Sequence, residues 1–207
     1  MLIKVCGMRD ENNIRQVAAL GVDWIGMIFW PNSPRNVDMI PEGSTTIKGI
    51  SRVGVFVDET AQNITTRVAD FHLDLVQLHG HESPVAIRNL RQALPPAIRI
   101  IKAISVACRD DITAYKAYDD CVDYFLFDTK CPTVGGSGQQ FDWSVLDTYD
   151  GSKPFLLSGG IGPDDAERVA AFHHPKCMGI DLNSRFESAP AQKDIAALRN
   201  FLSQIAH

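Results

Sequence analysis

Residues 1–10 read MLIKVCGMRD: an apolar, β-prone run, Leu2–Cys6, with one embedded lysine and a glycine immediately after the cysteine. The turn that follows, Cys6-Gly7-Met8-Arg9, decides between two architectures. An open doubly wound sheet usually carries G-x-G-x-x-G after its first strand, where glycines let the main chain approach a dinucleotide. That pattern does not occur here. A (β/α)8 barrel makes no such demand, and it places its chemistry at the C-terminal ends of the strands. A thiol at the tip of strand one then has a reason to be there.

Outward from this strand, short apolar runs recur at roughly 25-residue spacing, each too continuous to be half exposed, as buried parallel strands require. They are Trp24–Phe29, Arg52–Val57, Leu73–Leu78, Ile98–Ala103, Tyr124–Asp128, Pro154–Ser158 and Met178–Leu182. Amphipathic stretches lie between them. Asp10-Glu11-Asn12-Asn13 offers capping residues before Ile14, Val17 and Leu20, with Gly21 as a stop. Glu59–Ala69, Ser83–Leu94 and Asp110–Tyr118 read the same way. Gly162-Pro163-Asp164-Asp165 opens a helix to about Phe172, and Ala191–Ile205 forms the last. Helices are also expected after strands two and six. The alternation predicts an α/β protein, a single-domain (β/α)8 barrel of the TIM type spanning residues 1–207.

The 207 residues are 45% hydrophobic and 22% charged, an ordinary balance for a soluble fold. A formal net charge of -5 argues against a nucleic-acid partner, which calls for a basic face. No apolar run approaches the ~20 residues that span a bilayer, so no membrane partner is expected and the predicted location is cytoplasmic. The five cysteines, Cys6, Cys108, Cys121, Cys131 and Cys177, include no C-x-x-C pair and read as reduced thiols. The histidines lack metal-site spacing, and neither a metal nor a cofactor is expected.

The strand ends carry the candidate chemistry. Lys4 and Cys6 are two apart and face the same way, so the ammonium is expected to favour the thiolate. Cys6 is then a candidate nucleophile or general base, against the alternative of a small buried hydrophobe. Asp128 ends the otherwise apolar Tyr-Phe-Leu-Phe. An apolar approach favours a protonated carboxyl and a general acid; capping of the next loop, or pairing with Lys130, is the alternative. A base and an acid flanking one mouth suit isomerisation by proton transfer. Gly159-Gly160 and Asn183-Ser184 follow strands seven and eight, where such barrels bind phosphate with backbone N–H groups and a helix start. The predicted partner is therefore a small phosphorylated molecule. Arg35, in Ser33-Pro34-Arg35, is either a solvated surface residue or a planar fork for a substrate carboxylate. Gly135-Gly136-Ser137-Gly138 is either a lid or a plain loop. His79, at a strand end, either contacts substrate or is a satisfied histidine.

Lys4-Val5-Cys6-Gly7-Met8, Ser33-Pro34-Arg35, Val76-Gln77-Leu78-His79-Gly80, Phe127-Asp128-Thr129-Lys130, Gly135-Gly136-Ser137-Gly138 and Phe141-Asp142-Trp143 together resemble the phosphoribosylanthranilate isomerases, the (β/α)8 enzymes of tryptophan biosynthesis. The resemblance runs nearly the length of the chain. It implies an Amadori rearrangement of N-(5-phosphoribosyl)anthranilate to 1-(2-carboxyphenylamino)-1-deoxyribulose 5-phosphate. By the same resemblance, Asp128 would protonate the furanose oxygen and Cys6 would take the proton from C2 of the sugar. Arg35 would hold the anthranilate carboxylate. Gly159, Gly160, Asn183 and Ser184 would hold the phosphate, and Asp181 would contact sugar hydroxyls. It implies no cofactor, and a monomer or homodimer is expected. Two departures stand out. Asn183-Ser184-Arg185-Phe186-Glu187 replaces a Ser-Ser-Gly-Val-Glu run, putting an arginine where the family has glycine, and Gln139-Gln140 stand where a lysine is common. The alternatives are the related sugar-phosphate isomerase of histidine biosynthesis, which uses two aspartates, and a non-catalytic phosphate-binding barrel.

Overall fold

The computed structural model describes residues 1–39, 47–129 and 140–205. Eight parallel strands close into a barrel in sequence order. They are β1 (Leu2–Val5), β2 (Trp24–Ile28), β3 (Ser51–Phe56), β4 (Leu75–Leu78), β5 (Arg99–Val106), β6 (Tyr124–Thr129), β7 (Phe155–Leu157) and β8 (Cys177–Leu182). Closure is made by β1 on β8, with Lys4 opposite Asp181 and Val5 opposite Leu182. The helices are α1 (Glu11–Ala18), α2 (Ala61–Asp70), α3 (Pro84–Ala93), α4 (Arg109–Ile112), α5 (Ala166–Ala171) and α6 (Ile195–Ile205). None of the described helices is long and apolar enough to cross a membrane.

The helix starts follow from capping chemistry. Asp10, Thr60 and Ser83 each accept a hydrogen bond from the backbone N–H three residues on, satisfying a donor the first turn leaves open. Pro84 at the first position of α3 forfeits an N–H that would have had no intrahelical partner. Every second strand residue points inward. Trp24, Val53, Leu75, Ile101, Leu126 and Leu156 fill the barrel interior, with Leu2, Tyr124 and Met178 packed against them. The outward residues meet the helices; Phe125, Phe127 and Phe155 stack with Tyr149 in one aromatic cluster. Each such ring contributes about 1.5–3 kcal/mol of burial.

Several elements differ from expectation. β5 continues to Val106, three residues beyond the apolar run. The segment after β2 is turn and loop at residues 31–39, where Pro31 and Pro34 discourage helix propagation. The segments after β5 and β6 hold 3-10 helices at Thr113–Ala117 and Trp143–Thr148 rather than full α-helices. The last helix begins at Ile195, because residues 187–193 form a hairpin of β9 (Glu187–Ala189) and β10 (Gln192–Lys193).

Candidate active site

Strand parity that buries Leu2, Tyr124 and Leu126 inside the barrel also brings polar residues to its C-terminal mouth. β1 contributes Lys4 and Cys6, β4 Gln77 and His79, β6 Asp128, β7 Ser158 and β8 Asp181. Lys4 Nζ donates to Asp181 Oδ1 at 2.8 Å, with both residues buried. Ser158 Oγ lies 3.5 Å from Asp181 Oδ2 and 3.4 Å from Asp128 Oδ1, so its single proton can serve either carboxylate. Asp128 Oδ1 also accepts from Thr129 N at 2.9 Å, and Oδ2 lies 3.3 Å from His79 Nε2. Gln77 Nε2 is 3.1 Å from His79 Nδ1. An amide nitrogen can only donate, so Nδ1 accepts and the imidazole proton sits on Nε2, facing Asp128. Five strands are thereby joined in one polar chain from Lys4 to Gln77. Gln77 Oε1 is buried without a partner.

Cys6 is 3% exposed and stands beside Lys4 at the start of this chain. Lys4 does act to lower the Cys6 thiol, but the net direction is the reverse. Burial pushes the Cys6 thiol up, and Asp181 adds to that; the pull of Lys4 and Lys193 does not overcome them. Lys4 still favours the thiolate more than Asp181 opposes it, but burial outweighs both.

Arg35 is at the mouth, but as part of an ion cluster. Its Nε lies 2.9 Å from Glu187 Oε1, and its Nη2 donates to Oε2 at 2.6 Å. Glu187 Oε1 also accepts from Lys193 Nζ at 2.6 Å, and Lys193 Nζ donates to Asn183 Oδ1 at 2.8 Å. The group packs on Gly7, where a Cβ would lie 2.7 Å from Arg35 Cδ and 2.8 Å from Asn183 Oδ1. Gly7 has φ +77, so two constraints exclude a side chain at the residue after the thiol.

Gly159 (φ +92) and Gly160 (φ +67) hold left-handed conformations after β7. A Cβ on Gly159 would lie 2.7 Å from Thr129 N. Asn183 stands at the start of the 3-10 turn Ser184–Phe186. Arg185 reaches the segment after β7, its Nε 2.9 Å from where a Gly162 Cβ would be. Gln140 Nε2 donates to Gly160 O at 2.9 Å, an anchor between the end of the β6 loop and the β7 turn. Lys130, Gly135–Gly138 and Gln139 lie outside the described residues.

The structure thus gathers Cys6, Asp128 and Asp181 around one mouth, flanked by Gly159, Gly160, Asn183 and Ser184. Sequence reading passed over Gln77, Ser158, Glu187 and Lys193. Parity from Lys4 and Asp128 marks Gln77 and Ser158 as inward-facing. Lys193 left no signal, since a charged residue ahead of an amphipathic helix looks like a surface residue.

The family model described as N-(5'phosphoribosyl)anthranilate (PRA) isomerase matches residues 3–204. The chain is 47% identical over 211 residues to an N-(5'-phosphoribosyl)anthranilate isomerase of Parabacteroides distasonis, covering 100% of this chain and 94% of that one. Among solved structures it resembles the phosphoribosyl anthranilate isomerase of Thermotoga maritima, with a TM-score of 0.85 and 30% identity over 99% of this chain and 98% of the other. It also resembles a phosphoribosyl anthranilate isomerase solved in complex with reduced 1-(O-carboxyphenylamino)-1-deoxyribulose 5-phosphate, with a TM-score of 0.82 and 27% identity over 99% and 98% of the two chains.

Proposed function

The chain belongs to the N-(5'-phosphoribosyl)anthranilate isomerase family, and from that premise we propose which of its residues carry the reaction. The activity is the Amadori rearrangement of N-(5'-phosphoribosyl)anthranilate to 1-(2-carboxyphenylamino)-1-deoxyribulose 5-phosphate, a step of tryptophan biosynthesis. Asp128, as general acid, delivers a proton to the furanose oxygen. The C1–O bond breaks, and the anthranilate nitrogen lone pair forms the C1=N bond of a Schiff base. Cys6, as thiolate, then takes the C2 proton. An S–H bond forms, and the C2–H electron pair moves into C1=C2 to give an enolamine. Proton transfer from the C2 hydroxyl, with protonation at C1, yields the ketone, so substrate and product are isomers. Serving as acid and base at two positions is what this chemistry asks of a site.

The observation that carries this assignment is the connection between the two groups. Cys6 and Asp128 sit at the mouth linked through Lys4, Asp181 and Ser158, and His79 presents Nε2 to Asp128. The backbone around Gly159, Gly160, Asn183 and Ser184 receives the phosphate, and Asp181 the sugar hydroxyls. Arg35 receives the anthranilate carboxylate through whatever edge its bond to Glu187 leaves open. The whole chain acts as one barrel, a monomer or homodimer working in the cytoplasm.

The test follows the loss of anthranilate fluorescence when protein meets freshly made phosphoribosylanthranilate. The native protein should consume it, and Cys6→Ala and Asp128→Asn should each lose about 10²–10⁴-fold in kcat, the span of a general base or acid. Near-native turnover by either variant would remove that residue from its role.

A further inference from the structure

We propose that Lys193 is a positioning residue for Cys6: together with Arg35 and Glu187 it places one uncompensated positive charge against Gly7, in addition to the ammonium of Lys4. The inference rests on the assignment of Cys6 as the base.

The charged groups around the thiol come from seven segments of the chain. Lys4, on its own strand, and Asp181, on β8, are bonded at 2.8 Å and act on the thiol in opposite directions, Lys4 the more strongly. Lys193 on β10 and Arg35 after β2 share one carboxylate, Glu187 on β9. Asp128 and His79 lie beyond Ser158, paired with each other. Two cations to one anion leave the hairpin cluster net positive, and it packs on the residue after Cys6. Lys193 Nζ reaches this point through Asn183 Oδ1, which it bonds at 2.8 Å and which lies 2.8 Å from where a Gly7 Cβ would be, and its charge favours the Cys6 thiolate, behind that of Lys4.

The placement of Lys193 is over-determined, as a structural role alone does not require. It is 2% exposed, and burial drives its ammonium below the ordinary lysine value in spite of Glu187 and Cys6. An ammonium held there at such cost calls for a use. Its backbone is clamped to α1 on both sides: Lys193 N donates to Asn13 Oδ1 at 2.8 Å, and Asn13 Nδ2 donates to Lys193 O at 3.0 Å. Asn13 is itself buried in a helix, where asparagine is otherwise unfavourable. The hairpin turns through Ala191 at φ +65, a left-handed conformation that strains any residue with a Cβ. Substrate also brings a carboxylate and a phosphate, both of which oppose a thiolate. A resident positive charge at the sulfur offsets them.

The experiment measures kcat/KM against pH, together with the 240 nm absorbance of the thiolate referenced to Cys6→Ser. In Lys193→Met the ascending limb and the thiolate titration should both move up by about 1 pH unit or more, since a neighbouring opposite charge is worth one to three. Lys193→Arg should keep the limb at its native position, whatever its plateau. Glu187→Gln leaves two cations and should move the titration down, a shift of opposite sign that loosened packing would not produce. It also carries the test should Lys193→Met fail to fold. An unmoved titration in Lys193→Met, or an upward one in Glu187→Gln, overturns the inference. If Cys6→Ala retains native turnover, the assignment of the base falls instead; if Cys6→Ala is inactive and the titrations do not move, only the role of Lys193 falls.

Discussion

Lys4 Nζ and Asp181 Oδ1 meet at 2.8 Å inside the barrel, on the two strands whose pairing closes it. Burial alone would lower the lysine, but the Asp181 carboxylate and Cys6 more than offset it and hold Lys4 above its ordinary value. Burial drives the Asp181 carboxyl above its ordinary value as well, against the pull of Lys4. The pair gives β1 and β8 a side-chain link beside their backbone ladder.

Breaking this pair on one side should be costly. Asp181→Asn or Lys4→Met leaves a buried charge alone, and each should lose about 3–5 kcal/mol of stability. The double variant Lys4→Met/Asp181→Leu removes both charges and should recover most of that loss in urea unfolding while remaining inactive. A double variant as unstable as the singles would refute the pair as the origin of the effect.

Gln77 offers a case in which function and stability part. Its Oε1 is buried and unpartnered, a penalty of about 1–3 kcal/mol for such an atom. Its Nε2 fixes the His79 tautomer that faces Asp128. Gln77→Leu should therefore melt no lower than the native protein while kcat drops at least severalfold. Lower stability with unchanged kcat would contradict both halves of this reading.

What the sequence disclosed and what it withheld divide along physical lines. β1, β2, β6 and β8 were legible to within a residue or two because buried parallel strands are apolar throughout. Asp128 stood out as the one carboxylate ending such a run, and Cys6 as a thiol at a strand tip. β5 was cut short because Ser105 interrupts its apolar run near the rim. The hairpin of β9 and β10 was hidden because its meaning lies in contacts 150 residues away or more, Arg35 to Glu187 and Asn13 to Lys193. Local pattern carries no trace of such pairings. For the same reason Arg35 read as a free fork, and Lys4 as a free cation beside the thiol.

The Arg35–Glu187–Lys193 cluster predicts a limb in acid. Burial alone would raise the Glu187 carboxyl, yet the bonds from Arg35 and Lys193 hold it below its ordinary value of 4.5. Below pH 4.5 the unfolded chain takes up this proton before the folded one does. The stabilisation from this group is thus complete above pH 4.5 and is lost as pH falls toward the folded value. Urea midpoints from pH 6 to pH 3 should fall less steeply for Glu187→Gln than for the native protein. Parallel slopes would show that the cluster does not hold the carboxylate in its charged form.

Gly159 joins the phosphate rim to the acid. At φ +92 an L-residue is strained by about 1–2 kcal/mol, and an added Cβ would meet Thr129 Oγ1 and lie 2.7 Å from Thr129 N. That same N–H donates to Asp128 Oδ1 at 2.9 Å. Gly159→Ala must therefore displace either the β7 turn, which carries the proposed phosphate site, or the main chain beside Asp128, the proposed general acid. Both the KM for substrate and the inhibition constant for inorganic phosphate should rise, and kcat should fall with them. Gly160→Ala, at φ +67, is strained in its own backbone, so KM and phosphate inhibition should rise there too. If Gly159→Ala raises KM while leaving kcat untouched, the β7 turn and Asp128 are mechanically independent, and the Thr129 contact does not hold Asp128 in place.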